Sequence, residues 1–256
     1  MASRKQAGSD SGGFVQYVKL DRGKVNSFQC YPFSIPAIKH LDRLDMNPGV
    51  TFVVGENGSG KSTLIEAIAV AAGFNPEGGT KNFNFYTRRS DSELQAVLQI
   101  ARGVKREKDG FFLRAESFFN VATVIETPDE MKQTLLGYYG GKSFHEQSHG
   151  ESFMNLVKIR FGGHGLYVLD EPEAALSPSR QLALLRLMHN LVENRDSQFI
   201  IATHSPILMA YPGATIYHLG EKGIEQTAYE DTEHYQVTRG FLENREVYLK
   251  HLLGKQ

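Results

Sequence analysis

The sequence has a single cysteine, Cys30, among 256 residues, and this scarcity excludes an internal disulfide framework and a cysteine-rich zinc site. It also lacks any run approaching the roughly 18 to 20 apolar residues of a membrane-spanning helix, and its N-terminus lacks the apolar stretch of a secretory signal. We therefore expect a cytoplasmic protein without a membrane span of its own. An excess of one charge is missing too, because 28 Lys and Arg face 29 Asp and Glu. Net charge thus neither predicts nor excludes a nucleic-acid partner.

The remaining composition is that of an ordinary globular protein, with 41% hydrophobic and 22% charged residues. Residues 1–13 are polar, rich in Gly and Ser, and without apolar periodicity. We predict that they form a disordered tail and that residues 14–256 form a single domain.

Hydrophobic patterning predicts strands and helices in alternation. Strands are expected at residues 14–20, 30–38, 50–54, 111–115, 166–169 and 198–203, and a hairpin at 215–219 and 223–228. Helices are expected at residues 62–72, 91–102, 179–194 and 232–253, with a mostly helical insert at about 117–161. This order predicts an α/β fold with a mainly parallel core sheet, an antiparallel N-terminal edge sheet and a helical insert subdomain.

A glycine-rich motif follows the predicted strand at 50–54 and precedes a predicted helix. Residues 55–62 (GENGSGKS) match G-x-x-x-x-G-K-[ST], in the context that makes this phosphate-binding motif credible. Glycines let backbone N–H groups wrap the oxygens of a triphosphate, Lys61 supplies a charge for the β and γ phosphates, and the Ser62 hydroxyl is placed to bind Mg²⁺. The alternative is a purely structural role, as a glycine turn before a surface helix. The predicted nucleotide-binding residues here are Gly55, Glu56, Asn57, Gly58, Ser59, Gly60, Lys61, Ser62 and Thr63.

An acidic pair ends the predicted strand at 166–169. In P-loop proteins such a strand is expected beside the strand that feeds the phosphate loop, so its carboxylates face the nucleotide. Asp170 is then the Mg²⁺ partner, and Glu171 polarises the water that attacks the γ phosphate. The alternative is simple capping of a helix by the acidic pair before Pro172.

Three motifs, GENGSGKST, LDEPEAALSP and IIATHSP, occur in this order along the chain. Together they resemble those of the ATP-binding-cassette (ABC) class of P-loop ATPases, particularly its soluble branch of SMC-like, recombination-mediator and phage-defence ATPases of the AAA family. The resemblance implies a P-loop NTPase fold of the ABC type that hydrolyses ATP with Mg²⁺. It also implies that His204 contacts the γ phosphate and that residues 173–177 cross to a partner subunit, although Ser177 stands where the family often has Asp.

The same resemblance also assigns positions at which this sequence matches the family only in part. Residues 147–152 (QSHGES) are similar to the family signature that binds the γ phosphate of the opposite protomer, with Ser148, Gly150 and Glu151 as its candidate residues. Simple capping of a helix by Ser148 is the alternative. Glu116 stands near the place of a family glutamine and is a candidate Mg²⁺ or water ligand, and either Tyr31 or Phe33 fits the aromatic that stacks on adenine.

A signature that acts in trans implies a homodimer closed around two ATP molecules. We expect hydrolysis to drive a further protein partner, in a DNA-related or anti-phage process for which Arg88, Arg89 and residues 105–108 offer local positive charge. Those charges are equally explained as a solvated face. The alternatives are the ATPase subunit of a membrane transporter and a slow nucleotide-sensing regulatory module.

Overall fold

The structure is a computed structural model that describes residues 12–81, 93–114 and 149–254. The strands are β1 Val15–Leu20, β2 Arg43–Asp45, β3 Val50–Val54, β4 Leu98–Arg102, β5 Asp109–Arg114, β6 Gly165–Asp170, β7 Gln198–Ala202, β8 Thr215–Gly220 and β9 Gly223–Thr227. The α-helices are α1 Pro36–Lys39, α2 Lys61–Ala71, α3 Glu93–Val97, α4 His149–Arg160, α5 Pro178–Arg195, α6 Pro206–Met209, α7 Glu233–Glu243 and α8 Arg245–Leu253.

The core is a six-stranded sheet with the order β5-β6-β7-β3-β8-β9, parallel except for the β8–β9 hairpin. Every residue of β3, β6 and β7 is buried, as expected for strands covered on both faces. The helix α2 packs in the apolar cluster on one face, and α4 and α5 pack in the cluster on the other. The predicted α/β class, the helix after the phosphate loop, the parallel β6-α5-β7 unit and the closing hairpin are confirmed.

The order of the central strands corrects one expectation. We expected β6 beside β3, but β7 lies between them and pairs in parallel with both, for example Phe199 with Val50 and with Tyr167. The expected adjacency was wrong because sequence patterns identify buried strands without fixing their order. The carboxyl ends of β3, β6 and β7 nevertheless share one edge of the sheet, which is where open α/β sheets place ligands.

A separate three-stranded antiparallel sheet, with the order β2-β1-β4, contains the N-terminal strand. The predicted strand at 30–38 was wrong, because this segment forms turns that lead into α1. Prolines cannot donate to a strand ladder, and Pro36 instead occupies the first turn of a helix, where its missing N–H costs nothing.

The predicted helix at 91–102 was wrong over most of its length. Only Glu93–Val97 is helical, and Leu98–Arg102 is strand β4, in which Leu98 faces Leu20 and Ile100 faces Val18 of β1. Apolar spacing over such a short segment is compatible with both structures, and pairing with β1 decides between them.

The predicted closing helix at 232–253 is divided into α7 and α8. Asn244 separates them with φ −129° and ψ 38°, which is not a helical conformation. In the predicted insert at 117–161, the structure describes α4 at its C-terminal end, and residues 115–148 lie outside the described ranges. No helix within residues 12–81, 93–114 and 149–254 combines the length and apolar character needed to cross a membrane.

Candidate functional site

The phosphate loop connects the buried strand β3 to the helix α2. Gly55, Gly58 and Gly60 all have positive φ, at 149°, 83° and 97°. Gly60 has a second requirement, because a Cβ at this position would lie 2.8 Å from Cγ2 of Ile35, at the start of α1. The loop thus needs glycine both for its backbone conformation and for its close contact with α1.

Lys61 projects into the loop and is 4% exposed. Its Nζ donates hydrogen bonds to the carbonyl oxygens of Gly55, at 2.9 Å, and Glu56, at 3.0 Å. Burial lowers the pKa of Lys61, and the carboxylates of Glu171, Asp170 and Glu173 oppose that shift. The ammonium group is therefore placed near the acidic residues at and after the end of β6.

Ser62 and Asp170 are 108 residues apart in the chain and are in contact in the structure. The Ser62 hydroxyl donates to Oδ1 of Asp170 at 3.1 Å. A hydroxyl and a carboxylate are hard oxygen donors, and Mg²⁺ is commonly held by one or two such side chains with water and phosphate oxygens completing its shell. The residues present therefore fit a Mg²⁺ ion bound with a nucleotide.

Arg114, at the end of β5, adds a positive charge beside this pair. Its Nη1 donates to Oε2 of Glu66 on α2 at 2.8 Å, and its Nε lies 3.8 Å from Oδ2 of Asp170. Burial raises the pKa of Glu66, and the guanidinium of Arg114 opposes the rise. Sequence reasoning missed both residues, although Arg114 could have been noticed as the charged end of a buried strand.

Glu171 follows β6 with a left-handed backbone, at φ 50° and ψ 52°. This conformation is uncommon outside glycine, and such strain concentrates at functional sites. The backbone N–H of Glu171 donates to the carbonyl of Ala202 at 2.9 Å, which fixes it against the end of β7. Its Oε1 lies 3.4 Å from Nε2 of His204.

His204 follows β7 and contacts Glu173 and His234 in addition to Glu171. Its backbone N–H donates to Oε1 of Glu173 at 2.5 Å, and its Nδ1 lies 2.8 Å from Nε2 of His234 on α7. Burial raises the pKa of Glu173, while its hydrogen bond from His204 opposes the rise. Sequence reasoning placed Glu173 only in a crossing loop and missed His234, for which no local motif gives a signal.

The two aromatic alternatives for the adenine contact differ in position. Tyr31 is 68% exposed, and its hydroxyl lies 3.2 Å from Oγ1 of Thr63 in the first turn of α2. Phe33 is buried in the core. Tyr31 thus lies exposed beside the first turn of α2, whereas Phe33 is a packing residue.

Part of the predicted signature lies at the start of α4. Gly150 and Glu151 are in its first turn, and Gly150 is packed against Ala175 in the short 3-10 helix Pro172–Ala175. Ser148, the other signature residue, and the candidate metal ligand Glu116 lie outside the described residues. Together, the loop, the buried lysine and the Ser62–Asp170 contact form the arrangement expected of a P-loop nucleotide-binding site at the carboxyl edge of the sheet.

Two family models match the sequence. One, described as "AAA domain", matches residues 24–148, and another, described as "AAA domain, putative AbiEii toxin, Type IV TA system", matches residues 145–210. A relative from Staphylococcus aureus (strain COL), with the name "Putative ABC transporter ATP-binding protein", is 26% identical over 196 residues, which is 70% of this chain and 34% of that protein. A relative of the same description from Bacillus thuringiensis subsp. konkukian (strain 97-27) is 26% identical over 195 residues, with the same coverage.

The chain spans about a third of the length of these curated relatives. Among solved structures, it is similar to the SMC head domain from Thermotoga maritima, with 15% identity, a TM-score of 0.44, and coverage of 83% of this chain and 98% of that one. A bacterial ABC transporter cassette solved as a dimer gives 17% identity, a TM-score of 0.43, and coverage of 72% and 88%. The sequence matches make this chain similar to ABC-like P-loop ATPases, and the phosphate loop and the acidic end of β6 are the motifs that such proteins share.

Proposed function

We propose that this chain binds ATP with Mg²⁺ and hydrolyses it to ADP and phosphate. The observation that carries the proposal is the 3.1 Å contact between the Ser62 hydroxyl and Asp170, directly beside the buried Lys61. Loop N–H groups and the N-terminus of α2 receive the phosphates, and Lys61 exchanges its loop carbonyls for the β and γ phosphate oxygens. Tyr31 supplies a ring face for the adenine.

Ser62 and Asp170 would hold the Mg²⁺ ion, with Glu116 as a further candidate ligand. When bound, the ion neutralises charge on the β and γ phosphates. Glu171 orients the attacking water and accepts its proton, and its strained backbone fixes the direction of the carboxylate. His204 donates a hydrogen bond to the γ phosphate from the ring nitrogen that faces Glu171.

We also propose that two copies of the chain close around two ATP molecules. Glu56, Asn57 and Gly58, at the tip of the phosphate loop, are exposed, so a nucleotide bound there has an open side. Ser148, Gly150 and Glu151 of a second copy would cover that side, with the N-terminus of α4 directed at the γ phosphate.

The variant Glu171→Gln tests both proposals, because it removes the proton acceptor and leaves the nucleotide-binding residues intact. We expect Mg-ATP binding to persist, turnover to fall by about 100-fold or more, and a dimer to accumulate on a sizing column. Glu246→Gln, the same change at an exposed position on α8, is the matched control. Unchanged turnover in Glu171→Gln, or no binding of Mg-ATP by the unaltered chain, would refute the ATPase proposal. A persistent monomer would refute the dimer.

For the process that ATP drives, we propose action on a protein partner in a DNA-related or anti-phage context. The supporting observation is the match of residues 145–210 to a model whose description includes a toxin of a type IV system. Of the local positive charges, Lys105 forms an ion pair with Asp196 at 2.8 Å, and Arg88 and Arg89 lie outside the described residues. Turnover stimulated by DNA, with a steep dependence on salt, is the expected result. Turnover indifferent to DNA at low salt would contradict a direct DNA role.

A second candidate function, the ATP-binding subunit of a transporter, is favoured by the names of the relatives. It requires a separate membrane protein as the partner. Purification of the Glu171→Gln variant with ATP from native membranes tests it, and we expect a multispanning protein to copurify if this function is correct. If no multispanning protein copurifies and a partner is found in the aqueous fraction instead, the result favours action on a protein partner in a DNA-related or anti-phage context.

A further inference from the structure

His234 lies outside all three motifs, yet it directly contacts His204. It is the second residue of α7, and its Nε2 lies 2.8 Å from Nδ1 of His204, with the two rings in an edge-on arrangement at 4.9 Å. On its other side, the His204 ring presents Nε2 to Oε1 of Glu171 at 3.4 Å. The three side chains form a row in the order His234, His204, Glu171.

The Glu171 end of the row favours one position for the His204 proton. A carboxylate oxygen accepts hydrogen bonds and cannot donate them, so a favourable contact requires a proton on Nε2 of His204. In neutral imidazole the other nitrogen is then an acceptor. Nδ1 of His204 therefore accepts, and Nε2 of His234 donates to it.

The His234 end favours the same arrangement. Nε2 of His204 and Nδ1 of His234 are both buried without a hydrogen-bond partner within the ranges that the structure describes, but only Nε2 of His204 has a carboxylate oxygen near it, Oε1 of Glu171 at 3.4 Å. If His204 donated to His234 instead, the His234 proton would move to this Nδ1 and leave a buried N–H without an acceptor. Orphaned buried donors are rarer than orphaned acceptors. Burial and, after it, the neighbouring His204 lower the pKa of His234, which favours the neutral ring that both arrangements require.

The start of α7 is held against the site by contacts of its own. The Tyr229 hydroxyl donates to the carbonyl of Pro206, two residues after His204, at 3.0 Å. Thr232, which precedes α7, is buried, and its hydroxyl donates to the carbonyl of Tyr229 at 2.7 Å. His234 is thus presented to His204 from an anchored helix start.

We propose that His234 is a positioning residue that fixes the tautomer of His204, so that the proton on Nε2 of His204 faces Glu171 and the γ phosphate. This inference rests on the ATP hydrolysis proposed above. It gives the helix α7 a direct connection to the reacting end of the site. The connection resembles the use of a second residue to fix the tautomer of a functional histidine.

The first test needs no nucleotide. Long-range ¹H–¹⁵N correlation spectra of the chain with ¹⁵N-labelled histidine distinguish the two neutral tautomers, and the His204 signals are identified by their loss in His204→Ala. We expect His204 in the Nε2–H form in the unaltered chain and in His234→Gln, whose amide nitrogen retains a donor near the original Nε2. We expect mixed tautomers in His234→Met, which has no donor. The Nδ1–H form of His204 in the unaltered chain, or His204 signals that are unchanged in His234→Met, would overturn the proposal.

The second test measures turnover. Loss of one hydrogen bond that acts through His204 predicts a kcat about five- to tenfold lower in His234→Met, with KM within about twofold and kcat restored in His234→Gln. His251→Ala, on the exposed face of α8, is the matched control. Equal kcat in the Met variant and the unaltered chain, or equal losses in Met and Gln, would overturn the positioning role. If the unaltered chain has no turnover, the proposed function fails, and the spectra alone decide the tautomer.

Discussion

The phosphate loop offers a prediction in which backbone strain and steric contact are separated. Gly58 and Gly60 have similar positive φ, at 83° and 97°, so alanine at either position meets a similar conformational penalty. Their surroundings differ. A Cβ at Gly58 would have no heavy atom within 4 Å, whereas a Cβ at Gly60 would lie 2.8 Å from Cγ2 and 3.4 Å from Cδ1 of Ile35. The pair therefore isolates the contact between the loop and α1.

The left-handed conformation costs a residue with a Cβ about 1–2 kcal/mol, and the loss of unfolded-chain entropy on replacing glycine returns about 0.4–1 kcal/mol. We expect Gly58→Ala to lower the free energy of unfolding by ~0.5–1 kcal/mol. Overpacking against Ile35 adds about 1–3 kcal/mol for Gly60→Ala. Urea denaturation of the nucleotide-free chain, analysed by linear extrapolation, measures both. Equal stability of the two variants would refute the steric argument.

Two further predictions concern charges beside the loop. Lys61→Met should lower the affinity for Mg-ATP at least tenfold in calorimetry while the circular dichroism spectrum is retained, because a charged hydrogen bond contributes about 1.5–3 kcal/mol; an unchanged affinity would contradict the assigned role. Arg114→Met removes the cation that opposes the raised pKa of Glu66, so it should cost about 1–3 kcal/mol of unfolding free energy at pH 7. A carboxyl with a raised folded-state pKa is destabilising only when ionised, so this loss should shrink as the pH falls to 4.5. Equal losses at both pH values in urea denaturation would contradict it.

The acidic side of the site combines groups with different tasks. Asp170 is buried and contacts Ser62, Glu171 is half-buried on a strained backbone, and Glu173 is half-buried and accepts a hydrogen bond from the backbone N–H of His204. Lys61 is the cation near all three. A single short segment after β6 therefore provides a candidate metal ligand, a candidate proton acceptor and a support for the neighbouring loop.

Secondary structure was predictable where the local pattern left one solution. Five consecutive apolar or β-branched residues at 50–54, followed by a glycine-rich turn and strong helix formers, specify strand, loop and helix with little help from the rest of the chain. Residues 98–102 had no such local determination. Their apolar spacing suits a helix equally well, and only the free edge of β1 makes them a strand.

The sequence by itself determined the phosphate loop, the acidic end of β6 and the histidine after β7, because each is a short motif whose chemistry depends on neighbouring residues. The tertiary structure alone decided that β7 lies between β3 and β6, that Arg114 lies beside Asp170, and that α7 brings His234 to His204. Strand order and contacts between distant segments depend on how whole faces pack, and periodicity in a single segment carries no information about its partner.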